Sequence, residues 1–214
     1  MAVCGALSNA DLPRLAELVS CRKIENSQRL IDEGDVADEV FTVTSGMLRI
    51  YKLLPDGRRQ ITGFLTAGDF VGLVASEEYA YSAEAIGDVE LCRFNRKRFL
   101  QLLATQPALE NELLSRASNE IASAQAQMLL LGRKTARERL ATFLIEQAKR
   151  QELDPATQFD LPMSRSDIAD YLGLTIETVS RTFTNLRKAG VVATPDAHSV
   201  CLLDFDKLEE MVEE

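Results

Sequence analysis

The sequence predicts an α+β chain: a β-rich amino-terminal part, one long amphipathic helix, and a small helical carboxy-terminal part that ends in a β-hairpin. Three observations carry this. Short apolar alternations punctuated by glycine fill residues 22–94, apolar residues recur at steps of three and four from Leu114 to Leu131, and a later helical stretch is interrupted at Leu172-Gly173-Leu174. With 214 residues and 46% hydrophobic content, the chain is long enough to bury a sizeable core as one or two domains.

Residues 1–20 are expected to form a short helix, with Ala10, Leu12, Leu15, Leu18 and Val19 apolar. From Arg22 to Phe94 the period shortens to two. Phe41, Val43, Leu48 and Ile50 alternate with polar or small positions, Asp56-Gly57 and Gly68-Asp69 mark turns, and Ile61, Gly63 and Leu65 follow in register. Several such strands at roughly 8–12-residue spacing read as a closed or sandwich-like β structure.

Between Pro107 and Gly132 the helical period returns. Leu114, Ala117, Ile121, Ala124, Met128 and Leu131 step by 3, 4, 3, 4 and 3, a narrow seam over nearly three heptads. Such a stripe either packs on the β part of its own chain or faces a partner helix. A second helix is expected from Thr135 to Gln151, with Leu140, Phe143, Leu144 and Ala148 inward, followed by a polar loop through Pro155 to Asp160. Ser164-x-x-Asp167 then resembles a capping box with Asp in place of Glu.

Residues 164–190 read as two short helices around Gly173, the residue that takes φ > 0 without a Cβ clash. Thr175 stands where an N-cap belongs. Ile168, Ala169 and Leu172 form the inner stripe of the first helix, and Val179, Phe183 and Leu186 that of the second. Glu177, Ser180 and Arg181 share an outer face near the start of the second helix, the part that enters a major groove in DNA-reading units of this kind. Arg pairs bidentately with guanine, and Glu accepts from cytosine N4, so these three are candidates for base contact. Ser164, Arg165, Thr175 and Thr178 lie at helix starts or on the groove-facing side and are candidates for phosphate. The alternative is a solvated Glu/Arg pair on a surface helix, worth a few tenths of a kcal/mol. Val191–Leu203 alternates as a hairpin with Pro195-Asp196 in its turn, a wing that carries His198, the only histidine, assigned to phosphate contact or plain exposure.

A net charge of −9 is unusual for a nucleic-acid binder, but residues 161–203 balance: Arg165, Arg181, Arg187 and Lys188 against Asp167, Asp170, Glu177 and Asp196. Acidity elsewhere repels phosphate, so binding is expected to depend on correct base contacts. No nucleophile–base pair, phosphate loop or metal-spaced cluster points to an enzyme. No apolar run reaches the ~18 residues of a membrane span, and the first five residues do not begin a signal peptide, so a cytoplasmic protein is expected. Cys4, Cys21, Cys92 and Cys201 are scattered, without a C-x-x-C or a close His, and read as thiols in a reducing compartment. Cys201, in the wing, is the redox candidate.

The string IADYLGLTIETVSR resembles the recognition segment of the CRP/FNR superfamily, in its FNR-like and FixK-like branch, where the order E-x-x-S-R carries base contacts. FTVTSGMLRIYKLLPDGRRQITGF, GDFVGL and LGRKTARERLATFL match the same pattern, so the resemblance spans roughly residues 12–205. It implies a β-roll over 1–106, like those that bind cyclic nucleotides, a dimerisation helix over 107–132 and a winged helix-turn-helix over 133–214. It also implies a homodimer joined along the 114–131 seam, a palindromic DNA operator with TTGAT-type half-sites, and RNA polymerase as a partner. Cyclic nucleotide binders of the family use a Glu after G-D-x-x-G and an Arg-Ser/Thr pair; here Leu73 and Tyr81-Ser82 stand in those places. Without the Arg, a buried phosphate faces a desolvation cost of several kcal/mol, so no cyclic AMP is expected. Oxygen-sensing members hold an iron–sulfur cluster on a tight amino-terminal cysteine group plus one distant cysteine. Cys4 and Cys21, seventeen positions apart, do not make such a group, so neither metal nor cofactor is expected. A different small molecule in the roll, gating DNA binding, is the alternative.

Overall fold

The computed structural model describes residues 19–151, 158–196 and 198–213. The chain divides into two units, Met1–Ala122 and Ser123–Glu214. The expected helix before residue 19, with Cys4, and the loop residue Pro155 lie outside the described residues.

The first unit contains β1 (Val19–Ile24), β2 (Arg29–Ile31), β3 (Glu39–Leu53), β4 (Arg59–Leu65), β5 (Phe70–Val71) and β6 (Ser82–Asn95). All pair antiparallel in one sheet of order β1-β6-β3-β4, with β2 also on β6 and β5 also on β3. Val19 and Ser20 therefore open a strand rather than close a helix, because Val19 pairs with Phe94 across the sheet. The β-roll implied by the resemblance has six strands among the described residues, two of which bend and pair with different neighbours at their two ends. β3 pairs with β5 at Phe41–Thr42 and with β4 from Leu48 onward, while β6 serves β1 at one end and β2 at the other. The bend in β3 lies at Gly46, with φ 85°, where a Cβ would stand 2.3 Å from the carbonyl oxygen of Asp88. Only glycine fits there.

Strand alternation sends Phe41 and Val43 to one side of β3 and Val40 to the other. The first side joins Leu48, Leu65, Val71, Ala83, Ala85 and Leu91 in the main core. The second is closed by α1 (Arg96–Leu103), an element that sequence periodicity did not pick out. Its N-cap Asn95 accepts from the Arg98 N–H, and it buries Phe99, whose ring centroid lies 5.2 Å from that of Phe94. α2 (Pro107–Arg133) adds Leu109 to this cluster, and Arg116 donates to the Gly68 carbonyl at 2.9 Å.

The second unit holds the end of α2, then α3 (Ala136–Arg150), β7 (Phe159–Asp160), α4 (Arg165–Leu172), α5 (Ile176–Lys188), β8 (Val192–Ala193), β9 (Ser199–Leu202) and α6 (Phe205–Glu213). α3 begins at a capping box of Thr135 and Glu138 and buries Leu140, Phe143, Leu144 and Ala148, the predicted stripe. The predicted hairpin is β8 and β9, but β9 also pairs with β7, so the expected polar loop ends in a strand. Two residues are too few to show a period. α6, also beyond the sequence reading, packs on α3 through buried Leu208 and Met211.

Candidate nucleic-acid interface

Two capped helices and one turn present the outer face of α5. At Ser164 the hydroxyl accepts from the Asp167 N–H at 3.1 Å while the Asp167 carboxylate accepts from the Ser164 N–H at 3.0 Å, a reciprocal box. The Ser164 hydroxyl also donates to that carboxylate at 2.7 Å, so both of its donors are committed within the cap. Ser164 thereby sets the start of α4.

Gly173 follows α4 at φ 62°, ψ 39°, the left-handed conformation expected of it. Thr175 caps α5, its hydroxyl accepting from the Thr178 N–H at 3.2 Å and sharing a 3.0 Å bond with the Thr178 hydroxyl. The turn is held from behind by Arg139, which donates to the carbonyls of Leu131, Lys134 and Leu172, each at 2.9 Å. Gln127 donates to the Tyr171 carbonyl at the same distance. Neither residue stood out in the sequence, because their partners are backbone carbonyls, which every residue carries.

α5 buries Val179, Thr182, Phe183 and Leu186 and leaves Glu177, Ser180 and Arg181 exposed together on its opposite face. The Glu177 carboxyl is held below the usual carboxylate range, first by its own backbone N–H at the helix start, then by the Thr175 hydroxyl, with Arg181 contributing least. It stays ionised at neutral pH and accepts hydrogen bonds only. Arg181 makes one long contact, Nε to the Glu177 carbonyl at 3.4 Å.

The half-buried Arg165 stands over a ring, its guanidinium carbon 3.5 Å from the centroid of Phe183. Burial, and then the neighbouring Arg187 charge, push its pKa down. Arg187 was not among the predicted residues. It arrives from the far end of α5, where it donates to the Thr194 hydroxyl at 3.4 Å. In the wing, His198 is exposed, its backbone N–H donating to the Asp196 carboxylate at 2.7 Å. The Ser199 hydroxyl, foremost, and that N–H hold the Asp196 carboxyl below its usual range. Cys201 is half-buried on β9, opposite Ala193.

Along α2, Leu114, Ile121 and Met128 are 66%, 61% and 66% exposed, and Ala117 and Ala124 are exposed beside them. These five side chains form an exposed stripe along the helix. Leu131 differs, being half-buried with its Cδ2 3.4 Å from where a Cβ on Gly173 would stand.

In the roll, the Tyr81 hydroxyl accepts from the Gly72 N–H at 3.0 Å, and burial raises its pKa. The Ser82 hydroxyl accepts from the Glu33 N–H at 3.0 Å, and Leu73 is 38% exposed. The backbone donor at Gly72 is thus already engaged, and neither Leu73 nor Tyr81 supplies a charge, so these residues offer a cyclic phosphate no cationic partner. Among the described residues no three His, Cys, Asp or Glu side chains converge as a metal site requires.

The cyclic nucleotide-binding domain family matches residues 21–106, and the Crp-like helix-turn-helix domain family matches residues 138–211. The transcriptional activatory protein AadR of Rhodopseudomonas palustris is 45% identical over 97% of this chain and 89% of its own. The nitrogen fixation regulation protein FixK of Bradyrhizobium diazoefficiens is 41% identical over 98% and 89%. Among solved structures, FixK2 from Bradyrhizobium japonicum superposes with a TM-score of 0.85 at 37% identity, covering 91% of this chain and 97% of that one.

Proposed function

Because this chain belongs to the CRP/FNR superfamily of transcription regulators, we propose that it is a homodimeric, sequence-specific activator of the FixK/FNR type. It reads a palindromic operator with TTGAT-like half-sites in cytoplasmic DNA, and engages RNA polymerase there, without cyclic AMP. The observation that carries this reading is the exposure of Glu177, Ser180 and Arg181 together at the start of a helix whose other face is buried. Glu177 and Arg181 are the complementary residues for a C·G base pair, and Arg165, Thr175, Thr178 and His198 contact flanking phosphates. One such helix reads too few base pairs. The exposed seam of Leu114, Ala117, Ile121, Ala124 and Met128 takes the same seam of a second copy, which sets two recognition helices about one DNA turn apart.

The test is selection of bound duplexes from random DNA with reduced, nucleotide-free protein, followed by footprinting. The expected product is an inverted repeat protected on both half-sites. Recovery of a single, non-repeated element, or of no preferred sequence, overturns the proposal.

A further inference from the structure

We propose that Cys21 and Cys92 form a reversible disulfide across β1 and β6 when the protein meets a peroxide. The observation is their register: in the antiparallel β1–β6 ladder they are direct Cα partners. Directly opposed residues of such a ladder have Cα atoms about 4.5 or about 5.5 Å apart, according to which kind of pair they form, with side chains on the same face. Both values fall inside the roughly 4.4–6.8 Å span of natural disulfides. The next pair on that face shows that opposed side chains do meet here, since Lys23 Nζ lies 2.5 Å from Glu90 Oε1.

Access sets the order of events. Cys21 is exposed on the edge strand β1, whereas Cys92 is half-buried against the cluster of Phe94 and Phe99. The Cys21 thiol therefore takes the first oxygen, giving a sulfenic acid and one water from hydrogen peroxide. The Cys92 sulfur then attacks the Cys21 sulfur. The S–O bond breaks as the S–S bond forms, and the leaving hydroxide takes the Cys92 proton as a second water. Two thiols lose two electrons in total, and one peroxide becomes two waters. Opposed Cβ atoms of a relaxed ladder stand about 4.5–5.5 Å apart, slightly more than the roughly 3.5–4.5 Å of a disulfide. The bond pulls on the ladder, and such strain makes a disulfide easily reduced. It also pins the edge strand β1 to β6, the strand beside β3 in the middle of the sheet.

The full chain, reduced and then freed of reductant, carries four titratable cysteines. Treatment with a small excess of hydrogen peroxide is expected to lower the titre from four thiols to two. Peptide mapping then finds the tryptic peptide 15–22 joined to peptide 60–93, dithiothreitol releases them, and the thermal midpoint of the oxidised protein lies above that of the reduced one. A Cys4→Ser/Cys201→Ser double variant keeps the link, and Cys21→Ser and Cys92→Ser each abolish it. Oxidation of Cys21 to a sulfinic acid with Cys92 unlinked, or pairing of either cysteine with Cys4, Cys201 or a second chain in wild-type protein, overturns the proposal.

Discussion

Arg181 and Glu177 stand four residues apart on the exposed face of α5, and their chemistry divides the reading of a base pair between a cation and an anion. Replacing Arg181 with Ala is expected to cost about 1–3 kcal/mol of operator binding and to relax preference at a single base pair, measured by gel-shift competition against single-base operator variants. A uniform loss on all sequences would make it a phosphate contact. Glu177 carries a pH signature. Its carboxyl is held below its ordinary value by the helix-start N–H, so the cap interaction is fully present above the unfolded-state pKa and disappears only as pH falls through the depressed folded value. Base preference at its position should therefore stay flat from neutral pH down past about 4.3, the ordinary Glu value, provided fold and partners persist. Loss of that preference between pH 7 and 5, followed by anisotropy titrations, would show that Glu177 is not held this way.

At the scale of elements, local bonds and distant ones cooperate. α3, α4 and α5 each begin at a side chain that accepts from a backbone N–H of the first turn, worth about 1 kcal/mol apiece. The caps fix where each helix starts. They do not fix where it stands, which for α4 and its turn falls to the guanidinium of Arg139 on three carbonyls. α2 shows a third kind of constraint, with one stripe buried at Leu109 and Leu130 and another left open at Leu114, Ile121 and Met128. Ile121→Glu would set like charges against each other in the middle of the seam, so the pair should separate into monomers. Sedimentation at micromolar concentration, compared with wild type, reads the outcome, and an unchanged dimer places the interface elsewhere.

For the molecule as a whole, the question is what allows DNA binding. The places where a cyclic nucleotide's phosphate and ribose would need charged partners are filled by Tyr81, already bonded to Gly72, and by Leu73. Operator affinity of nucleotide-free protein is therefore expected to be unchanged by saturating cyclic AMP, because a ligand shifts an equilibrium only by its differential affinity for the two states. Calorimetry should find no binding heat, and a tenfold or larger gain in operator affinity would refute the expectation (a tenfold change being about 1.4 kcal/mol). The net charge of −9 works in the same direction. It weakens attachment to arbitrary DNA and leaves base contacts to decide occupancy.

The sequence by itself determined those parts whose bonds close within a few residues. The caps at Ser164 and Thr175, the left-handed Gly173, the buried stripe of α3 and the exposed trio on α5 follow from hydroxyls, a missing Cβ and a period of 3.6, all of which act locally. Tertiary structure decided the rest. Val19 became a strand because Phe94 lies opposite it, and Phe159–Asp160 became one because β9 offers it an edge. Arg165 came to rest on Phe183, and Cys21 came to face Cys92, through pairings that join residues far apart in the chain. Such contacts leave no period in a sequence, since the partner that satisfies a donor, covers a ring or opposes a thiol is chosen only when the sheet and helices close.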